Sequence, residues 1–318
     1  MKLRIDPWDP EYGASVELGT DLGAPADLAL DVEASGAWAP IPAPVHDRLP
    51  CCAFVDGVRR VDAQLFAEEG DAQAPALAGS WAVGCARSTR PPVIGDVVVG
   101  REIVVGGDLT APVLNILIGG RTTTFRPRSV GGVQPLDPLR ELQNTMRNAE
   151  ADLARAVLRS GQADLVVSDG PLAHASAEVA VGMIKRQTRS YLDPTRARVL
   201  GELSVGGRTP IFRLGGRLER YTWYLRLAER RRIDGMMAGI VRLEVGAMSG
   251  LAAAQRTADL TGAILPRFAP SPARDPRAPQ NLFPIGALEG VLRHRLGDPA
   301  LVRRALEVRI SMEVGRAG

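Results

Sequence analysis

The sequence predicts an α/β fold: a mixed central β-sheet flanked by helices, with extra helices towards the C-terminus and an N-terminal extension. Three observations carry this expectation. Segments of strand character, separated by Gly- and Pro-rich turns, fill residues 50 to 125. The apolar period then changes to three and four across residues 137–160. Directly afterwards "ADLVVSD" (163–169) reads as a buried strand, so a meander is followed by a helix and a further strand.

Residues 1–47 form the extension, acidic and rich in Pro, Gly and Ala, and ending near "APIPAPV"; residues 48–318 form the main domain. Within it, strand character falls at 50–56, 60–68, 80–87, 96–106 and 112–118. In 60–68 the alternation of Val61, Ala63, Leu65 and Ala67 is explicit. The helix opens with Asp137 and Pro138, a suitable N-cap and first-turn pair, and stops at Gly161, a suitable C′ residue. Between them Leu139, Leu142, Met146, Ala149, Leu153 and Val157 form one apolar stripe. Further helices are expected near 174–186, 219–235, 249–262 and 285–296. The Pro-rich stretch 265–281 reads as a loop, and there is no internal repeat.

Composition narrows the function classes. An apolar content of 45% with 24% charged residues fits an ordered, soluble globular protein and argues against disorder of the whole chain. Three cysteines, two of them adjacent on an apolar strand, give no disulfide framework and no zinc spacing, which fits a reducing cytoplasm. No apolar run reaches membrane-spanning length, so no membrane partner is expected. GxSxG, HExxH, GxxxxGK[ST] and a strand-to-helix GxGxxG are all missing. The net charge of +3 hides an asymmetry, because the first 50 residues carry three basic and nine acidic side chains. From residue 201 onwards 19 Arg face 11 acids, a balance that fits a polyanion partner or scattered solvated arginines equally well.

Two apolar runs end on Asp–Gly: Asp56–Gly57 in "FVDGVRR" and Asp169–Gly170 in "DLVVSDGPL". Meander, helix, then a strand beside the first one is the order of a ribonuclease H-like core. It would set the two carboxylates side by side if 50–56 and 163–169 are parallel neighbours. Such a pair repels unless a proton or a divalent cation lies between them, and Mg²⁺ or Mn²⁺ held by oxygens suits phosphodiester hydrolysis. On the helix, Glu150 lies about 50° from the centre of the apolar stripe at ~100° per residue, whereas Glu141 and Asp152 face away. From Glu150 to the helix end is roughly 15 Å at ~1.5 Å per residue, and the return along the strand to Asp169 is roughly 17–20 Å at ~3.3 Å per residue. Asp56, Glu150 and Asp169 are therefore expected at one metal site. Taken singly, an Asp–Gly pair is most often a turn, and a flanking Glu is most often a solvated border residue; their joint placement is what points to chemistry.

Only Lys2 and Lys185 are lysines among 39 basic residues. Lys185, in "GMIKRQTRSYL", can offer a compact ammonium to a phosphate or a leaving oxygen, the alternative being an ordinary surface lysine. Arg186, Arg189, Arg213 and Arg217 form a candidate phosphate-contacting set. Tyr221, Trp223 and Tyr224 offer base-stacking rings, although aromatics at that spacing are more often core.

The ordered set "FVDGVRRVDAQLFAE", "MRNAEADLARAVL", "LVVSDGPL", "GMIKRQTRSYL" and "IVRLEV" resembles the NurA nuclease family over residues 48–300. The resemblance implies a ribonuclease H-like fold and a Mn²⁺-dependent (or Mg²⁺-dependent) nuclease acting on DNA ends, as a 5′–3′ exonuclease or single-strand endonuclease. It implies a homodimer bound to a hexameric HerA-type ATPase in break processing. The family's metal-binding acids fall on Asp56, Glu150 and Asp169, and its motif lysine on Lys185. The family's C-terminal Tyr and His do not appear: Phe283 stands where the Tyr is expected and Val291 near the place of the His. Glu289 or His294, on the same expected helix, substitutes as a ligand, or the site is weakened. The rival from another class is thus an inactive DNA-binding or ATPase-docking subunit that keeps the fold. Action on RNA is open, since the metal chemistry is the same.

Overall fold

The computed structural model of the chain describes residues 1–5, 27–45, 50–89, 91–172, 180–187, 189–216, 218–271 and 277–316. Two short strands, β1 (Lys2–Ile5) and β2 (Leu28–Ala29), precede the meander of β3 (Cys52–Glu69), β4 (Ala72–Arg87) and β5 (Val93–Val105). The hairpin β6 (Leu114–Ile118) and β7 (Arg121–Ser129) leads into helix α1 (Asp137–Arg159). Then come β8 (Leu165–Asp169), β9 (Ala180–Ile184), the short helices α2 (Pro194–Ala197) and α3 (Val199–Glu202), and β10 (Phe212–Leu214), β11 (Arg220–Arg226) and β12 (Ile240–Gly246). Helices α4 (Leu251–Ile264), α5 (Phe283–Arg295) and α6 (Pro299–Arg316) complete the chain.

Among the described residues the strands form one mixed sheet in the order β2-β10-β11-β12-β9-β8-β3-β4-β5-β7-β6, with β1 paired to β3. The β3–β4 and β4–β5 pairs are antiparallel, whereas β3–β8 and β8–β9 are parallel. Val55 lies opposite Ser168, so Asp56 and Asp169 follow each other at the same level of neighbouring strands.

Helices α1 and α5 cover opposite faces at this level. Leu142 and Met146 of α1 pack with Val83, while a Cβ on Gly84 would meet Leu288 and Leu292 of α5. Because Asp56 pairs with Gly84 and Gly57 with Val83, alternation puts Asp56 on the α5 face and Gly57 on the α1 face. Gly161 takes φ +65° just beyond α1 and ends it. Asp137 does not cap the helix: it is the first helical residue, and its Oδ2 turns back to accept from the Gln134 N–H at 2.8 Å.

Three expectations are corrected. The strands expected at 50–56 and 60–68 are one strand, β3, interrupted only by a register shift between Val61 and Ala63. Asp56–Gly57 is therefore no turn, unlike Asp169–Gly170, where Gly170 has φ +102° and the strand ends. Residues 220–226 of the expected helix 219–235 are strand β11, buried on both faces between β10 and β12. With both faces buried the apolar residues run on without period-two alternation, which is why the stretch imitates a helix. For the same reason 180–184, expected as helix, is the parallel strand β9; residues 173–179 of that stretch lie outside the described set. Helix α6 has no counterpart in the expectation.

Part of the N-terminal extension is fixed to the sheet. Glu33 accepts from both terminal nitrogens of buried Arg208, at 2.8 and 3.0 Å, and from the Ile211 N–H at 2.6 Å. Burial raises the Glu33 carboxyl, but those Arg208 and Ile211 contacts outweigh it and hold the group below its usual value.

Candidate metal centre

Asp56, inside β3, and Asp169, at the end of β8, meet at one level of neighbouring strands, and Glu289 of α5 joins them. One carboxylate oxygen from each of the three lies within 4.8 Å of the others. Opposite oxygens around an octahedral ion with ~2.1 Å bonds are about 4.2 Å apart, so the spacing is close to that of a hard divalent cation. Asp56 is 5% exposed; its Oδ1 accepts from the Gly57 N–H at 2.8 Å, while its Oδ2 is buried with no hydrogen-bond partner. A buried, unpartnered carboxylate oxygen beside two further acids fits a cation ligand, and three oxygen donors suit Mg²⁺ or Mn²⁺.

Glu150 approaches from the other face. A Cβ on Gly57 would lie 2.5 Å from Glu150 Oε1, so the missing side chain leaves the gap through which the Glu150 carboxylate reaches towards Asp56. The structure thus places Glu150 beside the cluster but outside the closest set of three, and Glu289 inside it. His294 is exposed on α5, five residues past Glu289, and at ~100° per residue it points away from that side chain. Phe283, in the expected Tyr position, is exposed and packs on Phe268 with ring centroids 5.6 Å apart.

The crowding is electrostatically costly. Burial, reinforced by the Asp169 charge, pushes the Asp56 carboxyl up to about 8, against the opposing pull of Lys185. Burial raises Glu150 well above the usual range, with Asp56 and Asp169 adding to it. Burial also raises Asp169, although Lys185 partly offsets it. Lys185 Nζ donates to Asp169 Oδ2 at 2.6 Å and to Asn281 Oδ1. Arg277 holds Glu289 through bonds of 2.9 and 3.0 Å.

The cluster opens into a cleft of about 180 Å³ between α1 and the segment after β8. That segment is tethered from below: the Leu172 N–H donates to Glu244 Oε1 at 2.9 Å, and buried Glu244 also accepts from Arg220 and Arg242 at 3.2 and 2.8 Å.

The remaining predicted residues are dispersed. Arg186 and Arg189 are exposed near Lys185. Arg213 pairs with Asp27 at 3.0 Å on β10, four strands from β8 and so about 19 Å away at ~4.8 Å per strand. Arg217 lies outside the described residues. Trp223 and Tyr224 are buried and unavailable for stacking. Asn281 and Arg277 are site neighbours that no sequence pattern flagged, and Glu244 enters only within "IVRLEV", without a role. The first two lie in the Pro-rich stretch 265–281 read as a plain loop, and Glu244 sits in a strand whose burial only the fold discloses.

These features define a mixed α/β protein with an acidic candidate metal centre across two neighbouring parallel strands. A family model described as the NurA domain matches residues 118–283, just over half of the 318, and the chain belongs to the NurA domain family. Glu150, Asp169 and Lys185 fall inside the matched stretch, and Asp56 and Glu289 outside it. Among solved structures the chain is similar to the NurA nuclease from Sulfolobus solfataricus, at 9% identity and a TM-score of 0.43, covering 80% of this chain and 81% of that one. No curated protein matches it. No helix among the described residues is long and apolar enough to cross a membrane.

Proposed function

We propose that the chain is a metal-dependent DNA nuclease. The observation that carries this reading is the Asp56–Asp169–Glu289 cluster, with the unpartnered Asp56 Oδ2, in a chain of the NurA domain family. Residues 48–318 act as the nuclease domain on a ribonuclease H-like core, with 1–47 as an extension. The protein works as a homodimer with a HerA-type hexameric ATPase on DNA ends, by 5′–3′ exonuclease or single-strand endonuclease action.

Asp56, Asp169 and Glu289 would hold Mn²⁺ or Mg²⁺. Such an ion supplies Lewis acidity towards the phosphate and towards an attacking water. The chain's own residues do the rest. Burial, with Asp56 and Asp169 adding to it, raises the Glu150 carboxyl well above its usual range, which suits it to carry a proton at the cleft wall. Lys185, oriented by Asp169 and buried Asn281, presents an ammonium to a phosphate oxygen or the leaving oxygen. Arg186 and Arg189 contact the flanking backbone.

The test is incubation of 5′- and 3′-labelled single- and double-stranded DNA with Mn²⁺, Mg²⁺ or EDTA, using wild type and Asp169→Asn. Metal-dependent degradation lost in the variant supports the nuclease, and the label released first gives its polarity. A labelled RNA strand in the same assay separates DNA from RNA specificity. A second reading, a docking subunit with weakened or no activity, is favoured by Phe283 at the expected Tyr position. Intact DNA in every arm, with a HerA-type ATPase present, selects it.

A further inference from the structure

The cleft that ends on the carboxylates also carries positive charge on its α1 wall. Gln143, Arg147 and Glu150 stand at i, i+4 and i+7 on α1 and line the cleft together. Arg59 lies three residues beyond Asp56 on β3, on the α1 face with Gly57, and its Nε donates to Gln143 Oε1. Arg59 and Arg147 are both half-buried and near enough for their charges to oppose each other. Arg147 makes no hydrogen bond or ion pair among the described residues, and its electrostatic attraction is to Glu150. Two guanidinium groups drawn partly out of water, side by side and without a paired carboxylate, are disfavoured in the free protein. They become favourable when a multivalent oxyanion bridges them, because each planar fork then gains charge-assisted hydrogen bonds.

We propose that Arg59 and Arg147, with Gln143 ordering Arg59, bind a backbone phosphate of the nucleic-acid strand adjacent to the one at the carboxylate cluster. This rests on the nuclease reading. Arg59 is about 10 Å from Asp56 along β3 at ~3.3 Å per residue, and its side chain is turned to Gln143 on α1, so the pair is set to hold a neighbouring phosphate and not the one at the carboxylates. The pair would fix the direction in which the strand enters the cleft.

The experiment is fluorescence anisotropy with a labelled single-stranded oligodeoxynucleotide in EDTA, across a KCl series, for wild type, Arg59→Gln, Arg147→Gln and the double variant. Loss of that one phosphate contact reduces the slope of log K against log salt by about 0.7, in part in each single variant and in full in the double variant. Melting temperatures are read in parallel: both single variants melt no lower than wild type, because a repelling pair is relieved, whereas a structural arginine would lower the value. Wild-type slopes in both single variants, or a clear loss of melting temperature with an unchanged slope, overturn the proposal. Mn²⁺-dependent cleavage by wild type then still leaves the nuclease reading standing. Wild type that neither binds nor cleaves DNA removes the nuclease reading, and this proposal with it.

Discussion

Replacing Asp56 by Asn should stabilise the metal-free protein, and the size of the effect follows from the site. Asn preserves the shape and the oxygen that accepts from the Gly57 N–H, but it carries no charge among Asp169, Glu150 and Glu289. In the fold the Asp56 carboxyl lies at about 8 against an ordinary 3.8, so the folded state binds the proton more tightly than the unfolded chain does. The contribution of Asp56 is therefore complete below pH ~4 and declines as pH rises to ~8, at about 1.4 kcal/mol per unit. The span of roughly four units sets a ceiling of about 6 kcal/mol. Neighbouring carboxyls lower it, because a proton taken up by one relieves the others. Even a third of the ceiling, about 2 kcal/mol, is worth about 3 °C in melting temperature for a chain of 318 residues. In EDTA at pH 8 the variant should melt above wild type, and at pH 4 the two should coincide. Added Mn²⁺ should reverse the order, since a ligand that binds only the intact folded site stabilises it by mass action. Differential scanning fluorimetry at three pH values, with and without Mn²⁺, measures all of this. A variant less stable than wild type at pH 8 without metal would refute the idea that the cluster is held together against repulsion.

Three further outcomes follow from the same geometry. Mn²⁺-induced stabilisation of wild type should grow from pH 6 to pH 8, because the cation displaces the Asp56 proton; isothermal titration in two buffers of different ionisation enthalpy should register proton release. Gly57→Ala places a methyl 2.5 Å from Glu150 Oε1 and 3.1 Å from Met146 Cγ, an overpacking of about 1–3 kcal/mol in urea titrations. Glu150→Ala should restore most of that in the double variant. Glu244→Ala leaves Arg220 and Arg242 buried without their shared carboxylate and frees the Leu172 N–H, so a loss of about 3–5 kcal/mol is expected in the same titration.

The legible part of this molecule is what local pattern can carry. The α1 stripe, its Gly161 stop and the length of the return to Asp169 follow from residue spacing, whereas the parallel pairing that brings Asp56 and Asp169 to one level is a condition of that reading, which β3 and β8 meet. The strands β9 and β11 were hidden because sheet neighbours bury both of their faces, which erases alternation. Asp56–Gly57 reads as a turn because glycine after aspartate usually is one. Here the glycine lies inside β3, and it is small because Glu150 passes over it. Helical phase and chain length could bring Glu150 level with Asp169, but they could not assign Glu150 and Asp56 to opposite faces of the sheet. That assignment depends on the pairing of Asp56 with Gly84 and on α5 packing against Gly84. Glu289 is named from the sequence only as one of two candidates on its helix; choosing it over His294 depends on the long-range packing of α5 against Gly84.

The two faces have a consequence for how such a centre can act. A carboxylate cluster supplied from one face could relax by swinging its side chains into solvent. Here Asp56 is held by its own strand and the Gly57 N–H, Asp169 by Lys185, and Glu289 by Arg277, while Glu150 closes the gap from behind. Lys185 and Arg277 bond directly to Asp169 and Glu289, whereas Asp56 feels Lys185 only through its charge and keeps a buried oxygen without a hydrogen-bond partner. The cations keep the acids in place without cancelling the charge at the point where their oxygens converge. Repulsion stored there lowers the stability of the empty protein, and it is relieved by a cation at that point. An ion held there would bind with a strong dependence on pH, because it would compete with the protons that the crowded carboxyls retain.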